Sequence, residues 1–246
     1  MLFIGLDSGT QSTKAVVLDF ETGAIVAQAS EKYELIDGLP PGHLEQHPQD
    51  WTAAMDTVIT AVVAKIEARR VRGIGVSGQQ HGFVPLDEAG KVIRPAKLWC
   101  DTSTTAECAL ITKKLGGPKA AIRKTGNLIL PGFTAPKILW LKRHEPRVYE
   151  KAWKLLDVKD WLLLRTTGHA VTTADLANVT WMMDTRKGRE GWSDTLVARF
   201  GLKRGLLPDI VEGTSSPGGL TDAAASELGL PSGLPVFAGA GDVCAA

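Results

Sequence analysis

FIGLDSGTQSTKAVVLD, residues 3–19, is an apolar run, a short polar turn and a second apolar run. Alternation at Ile4 and Leu6, then at Ala15 and Val17 beside Val16 and Leu18, predicts two short strands joined by Ser8 to Thr13, a β-hairpin. The joining loop holds Gly9 among small hydroxyl and amide residues, so its backbone amides can approach a ligand closely. Asp7 stands where the first strand ends. Such a loop can cradle phosphate through amides and hydroxyls, and a carboxylate beside it can hold the magnesium that accompanies a nucleotide. From the loop by itself an ordinary polar hairpin tip reads equally well, and the rest of the chain has to decide.

The chain has 246 residues, 44% hydrophobic and 22% charged, enough for one large domain or two small ones. Twenty-eight basic against 27 acidic residues leave a net charge of +1 with no long like-charged run, so nothing favours nucleic acid or an anionic membrane. Cys100, Cys108 and Cys244 are odd in number and lack the paired spacing of a metal site, which predicts reduced thiols in the cytoplasm. Asp7 interrupts the first apolar run, so neither a secretory signal nor a membrane span is expected. In that compartment the glycosylation sequon Asn178-Val179-Thr180 has no meaning.

Onward from the hairpin, Phe20 to Gly23 form a turn and Ala24 to Ser30 a third strand, so the chain starts as an antiparallel meander. A simple dinucleotide-binding start would send a helix after strand one instead. Residues 37–50 read as a loop. Apolar residues at 51, 55, 58, 59, 62, 63 and 66 predict a helix from Trp51 to Arg70, capped by Asp50. Strands follow at Val71–Val76 and Phe83–Leu86. Gly73, Gly75 and Gly78 match GxGxxG, but they lie inside a strand and lead into another, so the pattern reads as room for a close-packed neighbour.

Thr104 and Glu107 have capping-box spacing for a helix to Leu115, ended by Gly116-Gly117-Pro118. From there to about Pro217 the rhythm of strands and helices is lost. Trp140, Trp153, Trp161, Trp181 and Trp192 in that segment predict the private core of a subdomain. Phe133–His144 and Asp160–Arg165 read as helices, with Val158 on a strand or turn before the second. Asp222–Leu228 reads as a short helix, and Pro235–Ala238 as a strand that ends in Gly239-Ala240-Gly241-Asp242. His43 and His47 are four apart but sit among prolines in a loop, so no zinc site is expected, and His144 and His169 read as surface residues.

Asp7 and Asp242 each sit at the C-terminal end of an apolar strand. In open sheets with parallel strands, ligands collect at those ends. One carboxylate could hold a metal while the other accepts a proton from a hydroxyl, the division of labour that phosphoryl transfer needs. Taken singly, Asp242 reads better as a cap on the helix that follows it. No GxxxxGK[ST] loop occurs, so a kinase here is not of the P-loop kind.

Gly5-Leu6-Asp7-Ser8-Gly9-Thr10-Gln11-Ser12-Thr13-Lys14, Ser77-Gly78-Gln79-Gln80-His81-Gly82, Leu98-Trp99-Cys100-Asp101, Thr125-Gly126-Asn127, Pro131 to His144 and Gly239 to Ala246 together resemble the FGGY carbohydrate kinases. These belong to the actin and Hsp70-like ATPase superfamily, and within the family the likeness is greatest to members that act on D-xylulose. The resemblance implies an α/β, ribonuclease H-like mixed sheet with an antiparallel N-terminal meander, flanking helices and an inserted subdomain. It implies a core of about 1–115 and 217–246, an insertion of about 116–216, and a second, ATP-binding domain absent from this chain.

It also implies roles. Asp242 matches the general base that takes the proton from the sugar hydroxyl, and Asp7 the acid near Mg2+ and the phosphates of ATP. Gly9, Thr10, Gln11, Ser12, Thr13 and Lys14 match the first phosphate loop. Gln80 and His81 match the pair that holds the sugar's hydroxyls, with Trp99 and Asp101 along the same wall. Some relatives carry methionine where Gln80 stands, so the acceptor is less fixed than the reaction. The expected reaction is ATP-dependent phosphorylation of D-xylulose to D-xylulose 5-phosphate. The alternatives are another pentulose, gluconate or glycerol as acceptor, or a sugar-binding fragment inactive by itself. No nucleic acid or membrane partner is expected, and a homodimer is left open.

Overall fold

The computed structural model describes all of residues 1–246. Strands β1 (Leu2–Ser8) and β2 (Ser12–Asp19) form the expected hairpin, in antiparallel register from Leu2 opposite Asp19 to Ser8 opposite Thr13. Leu2, Ile4, Leu6 and Ser8 point inward and the residues between them outward, as a period of two dictates. Strand β3 (Ala24–Lys32) extends the meander.

The chain then passes through the short β4 (Glu45–Gln46) into helix α1 (Pro48–Val63). The helix begins three residues before its predicted start, because Pro48 at its first position lacks an amide that would be unpaired there anyway. His47, not Asp50, is the N-cap, and the helix stops at Val63 before a separate turn at Ala68–Arg70. Its predicted face is kept, with Trp51, Met55, Val58, Ile59 and Val62 buried.

Strand β5 (Val71–Gly78) runs parallel to β1. At Gly73 a Cβ would come within 2.7 Å of the Phe237 ring, so that glycine serves close packing. Strand β6 (Val84–Leu86) leaves the main sheet, and β7 (Ala96–Lys97) pairs with β4. Helix α2 (Thr105–Leu115) has its expected end at Gly116, in the left-handed region, but no capping box. Glu107 is buried and bound by Arg143 and His144, which also gives His144 a partner.

Helices α3 (Pro118–Thr125), α4 (Thr134–His144) and α5 (Pro146–Lys151) lead to β8 (Lys154–Leu156), the partner of β6. Helix α6 (Val158–Thr167) starts at Val158, which the sequence placed before it. Then come β9 (Val171–Thr173), α7 (Ala174–Asn178), β10 (Met183–Asp184), β11 (Gly191–Trp192), α8 (Asp194–Phe200) and β12 (Asp209–Val211). The chain returns to the main sheet through β13 (Gly218–Gly219), α9 (Asp222–Leu228) and β14 (Pro235–Gly241), and ends in α10 (Asp242–Ala245).

The six-stranded sheet has the order β13-β14-β5-β1-β2-β3. Strands β1 and β14 both run parallel to β5, while the meander and β13 are antiparallel, giving the mixed sheet expected. One apolar cluster packs Leu2, Ile4, Ile74, Val76 and Val236 of this sheet against α1, α6 and α9. A second gathers Phe83, Ile111, Trp140, Trp181 and Phe200. Trp192 packs on the second cluster, but Trp161 packs on the first and Trp153 joins neither, so the five tryptophans do not form one private core. No helix is long and apolar enough to cross a membrane.

Candidate active site

Because β1 and β14 flank β5 and run parallel to it, their C-terminal ends open on one edge of the sheet. Asp7 lies opposite Ser77, and Ser8 and Gly241 both lie opposite Gly78. Asp242 follows Gly241 directly as the first residue of α10, so the topology brings the two carboxylates to one place. Gly241 is the N-cap of α10, and Asp242 uses one oxygen to accept the Val243 amide at 2.9 Å. Two residues before Gly241, Gly239 has φ +65°, and a Cβ there would sit 1.8 Å from the Val76 carbonyl oxygen. Only glycine carries the chain through this bend.

Asp7 Oδ1 is enclosed and has no hydrogen-bond partner in the protein. A buried, unpaired carboxylate oxygen is costly unless something positive meets it, so Asp7 fits the divalent-cation role expected of it. The adjoining loop is held from several sides. Gly9 donates its amide to Ser12 O, and the Gly9 carbonyl accepts from Tyr33 OH at 2.6 Å and from Gln79 Nε2 at 3.2 Å. Gln46 Nε2 donates to Thr10 O at 2.7 Å. The Thr10 hydroxyl donates to Gln79 Oε1 and accepts from Trp99 Nε1 at 3.0 Å, tying the loop to the expected sugar wall.

Of the six residues assigned to the loop, Gln11 and Lys14 are exposed, and Gly9, Thr10 and Ser12 are half-buried. Thr13 is fully buried and its hydroxyl donates to Ser8 Oγ and Tyr33 OH, so its side chain faces the core and not a phosphate. Burial raises the pKa of the Tyr33 phenol above its ordinary value, which keeps it a donor to this cluster. Sequence reasoning missed Gln46 and Gln79, two buried amides that bind one another at 3.3 Å and brace the loop from beneath.

On the acceptor side, Gln80 lies across Gly241, where an added Cβ would be 2.6 Å from Gln80 Cγ and 2.7 Å from its Nε2. His81 has a left-handed backbone, φ +59°, rare for a residue with a side chain. Its ring lies 4.4 Å from that of Phe133, which stacks on Trp181. Burial, and then the charge of Lys137, pull the imidazole down to about 4, so His81 is neutral at pH 7. Its Nδ1 is enclosed without a protein partner. Trp99 is half exposed beside Thr10.

Asp101 differs from its expected place on the pocket wall. It is wholly buried, with Oδ1 accepting from Ser103 N and Oγ and Oδ2 from Leu44 N and Lys97 Nζ. Burial opposes its ionisation, but these bonds together hold the carboxyl below its ordinary range. Both of its oxygens are engaged within the protein. His43, Glu45 and Asp101 also have metal-ligand chemistry and mutual proximity. Lys97 Nζ stands among them, 3.1 Å from His43 Nδ1, 3.0 Å from Glu45 Oε1 and 3.1 Å from Asp101 Oδ2, so an ammonium fills the centre.

Two further groups were not singled out from the sequence, although Lys137 lies within the Pro131 to His144 motif. Asp175, at the start of α7, accepts the Gly241 amide at 2.7 Å and fixes the end of β14. Lys137 on α4 is fully buried and donates to the His81 carbonyl at 2.5 Å. A cavity of about 1110 Å³ lies apart, lined by residues such as Arg123, Trp181, Arg186 and Arg199, and it touches none of Asp7, Gln80, His81 or Asp242.

A sequence profile described as "FGGY family of carbohydrate kinases, N-terminal domain" matches residues 2–246. The xylulose kinase of Klebsiella pneumoniae is 39% identical over 242 residues, which are 98% of this chain and 48% of that protein. Among solved structures, the xylulose kinase of Rhodospirillum rubrum superposes with a TM-score of 0.92 at 29% identity, over 99% of this chain and 49% of that one. The gluconate kinase of Lactobacillus acidophilus gives 0.89 at 27% identity, over 98% and 48%. The chain thus spans about half the length of the curated relatives it matches, and its neighbours share the actin-like ATPase fold.

Proposed function

Because the chain belongs to the FGGY family of carbohydrate kinases and corresponds to the family's N-terminal domain, we propose that it supplies the acceptor site of an ATP-dependent kinase converting D-xylulose to D-xylulose 5-phosphate. The observation that carries this reading is the common register of Ser8 and Gly241 against Gly78, which sets Asp7 and Asp242 on either side of one strand end. The choice of sugar is supported by relatives that are themselves xylulose kinases.

In this mechanism Gln80 and neutral His81 pair with sugar hydroxyls, and Trp99 offers an apolar wall between them and the loop. An acceptor that leaves those groups unpaired is rejected. Asp242 takes the proton from the terminal hydroxyl as that oxygen bonds to phosphorus, and ADP leaves. Asp7 would hold the Mg2+ that accompanies ATP, and that ion would neutralise phosphate charge. The amides of residues 10–12 donate to the same phosphates, since the Gly9 amide, the Thr10 hydroxyl and Thr13 are already engaged. Nucleotide binding falls mostly to the other half of the family's length. Within this domain, residues of about 1–115 and 217–246 form the sugar-binding core and about 116–216 the insertion, and the protein works in the cytoplasm without nucleic-acid or membrane partners.

The second reading, gluconate or another polyol as acceptor, is favoured by two observations. Gln80 adds an amide beside Gly241, and a gluconate kinase superposes with a TM-score of 0.89, within the range of 0.80 to 0.92 for the xylulose kinases. An acceptor panel on the protein carrying both halves decides. The highest kcat/KM is expected for D-xylulose, and a higher value for gluconate, glycerol or another pentulose would replace it.

A further inference from the structure

We propose that Lys137 is a positioning residue of the sugar site, its ammonium holding the His81 carbonyl and so fixing the backbone turn that presents Gln80 and His81. The inference rests on the sugar-site reading above and extends it to a residue that touches no substrate. Lys137 lies on α4 with no exposed surface, yet its long side chain runs across to the β5–β6 connection and donates to His81 O at 2.5 Å. His81 is one of only two non-glycine residues with positive φ, a conformation that persists only where surrounding contacts over-determine it. The other is Trp181, which stacks on Phe133, and Phe133 in turn packs on the His81 ring and is the N-cap of α4. One helix thus holds His81 twice, by its carbonyl through Lys137 and by its ring through Phe133.

Burial disfavours an ammonium there, and the acidic groups around it offset part of that cost. Asp157 from the β8–α6 junction, Asp101 and Cys100 from the segment after β7, and His81 face it, with Lys97 a second cation nearby. Asp157 is buried, with Oδ1 lacking a partner, and its pKa is raised well above the carboxylate range by burial and by Asp160. Burial pulls Lys137 down to about 7, against the opposing pull of Asp157 and Asp101. Gly82, next to His81, packs so closely on Val158 that a Cβ would be 2.4 Å from its Cγ2, so the turn is confined from that side too.

The test uses this chain with Lys137→Met and Lys137→Arg, D-xylulose as the titrated sugar, and the nuclear Overhauser effect between the His81 and Phe133 rings. Removing a charged hydrogen bond is expected to weaken D-xylulose binding by at least about tenfold in Lys137→Met and to abolish the Overhauser effect as the rings separate. Lys137→Arg is expected to restore much of both. Wild-type affinity is expected to fall as pH rises through about 7, where the ammonium is deprotonated, and to be flat in Lys137→Met. Unchanged affinity with the rings still adjacent in Lys137→Met would overturn the proposal. If Lys137→Met does not fold, Lys137→Gln, too short to reach the His81 carbonyl, decides, and unchanged affinity with the rings still adjacent in that variant overturns it. If the wild-type chain binds no sugar, the sugar-site reading fails separately, and rings that stay adjacent in Lys137→Met still overturn the positioning role.

Discussion

Ser8 and Gly241 meet strand β5 at the same residue, Gly78, from its two sides. The residues one step away, Asp7 and Asp242, are therefore held by main-chain hydrogen bonding at the start and the end of the chain. The placement of these two carboxylates is a property of the sheet.

Glycine substitutions next to Asp242 separate stability from function. Gly239→Ala places a Cβ 1.8 Å from the Val76 carbonyl oxygen at φ +65°, and a loss of roughly 3 kcal/mol or more in unfolding free energy is expected. Gly241→Ala meets mainly the flexible Gln80 side chain at 2.6 Å. It should fold, lose less stability than Gly239→Ala, and bind sugar more weakly because Gln80 is displaced. Denaturant unfolding and sugar titration of both variants check this ranking.

Tyr33→Phe removes the hydroxyl that donates to Gly9 O at 2.6 Å and meets Ser8 and Thr13. A stability loss of about 1–2 kcal/mol is expected from the unpaired carbonyl and hydroxyls. In the two-domain enzyme KM for ATP should rise more than KM for the sugar. Equal changes in both would mean that the loop does not serve the phosphates.

For pH, the imidazole of His81 titrates near 4 in the folded chain against about 6.5 when unfolded. The folded value is the lower, so the unfolded chain takes up the proton first as pH falls. Stability is fully present above about pH 6.5 and is lost toward pH 4, by on the order of 3 kcal/mol at most. Unfolding midpoints at pH 7 and pH 5 should differ more in wild type than in His81→Gln, and equal differences would contradict the neutral buried imidazole.

The sequence made the hairpin and the strand-end acids readable because both are local. Alternation at Ile4, Leu6, Ala15 and Val17 shows in a short window, and glycine-flanked Asp7 and Asp242 stand where apolar runs stop. The same alternation could have shown that Thr13 shares the inward parity of Ala15 and Val17, and with it that its hydroxyl faces the core. Pairing of β6 with β8 and the carboxylate of Asp175 on Gly241 join residues far apart in the chain, and no local pattern encodes them. Asp101 shows the limit of residue type, since a carboxylate that binds a sugar and one that binds Lys97 and Ser103 look alike until the fold is known.

Calorimetry on this chain separates acceptor binding from nucleotide binding. D-xylulose is expected to bind with Gln80 and His81 intact and to bind less well to His81→Ala, while Mg-ATP binds weakly. Tight Mg-ATP binding by this chain would contradict the assignment of the nucleotide to the rest of the family's length.

The central claim is that Asp242 takes the proton from the acceptor hydroxyl, and Asp242→Asn in the two-domain enzyme tests it most directly. The amide keeps the shape and removes the base. A fall in kcat of about 10²- to 10⁴-fold with sugar KM changed little is the predicted result, and turnover close to wild type would contradict the account.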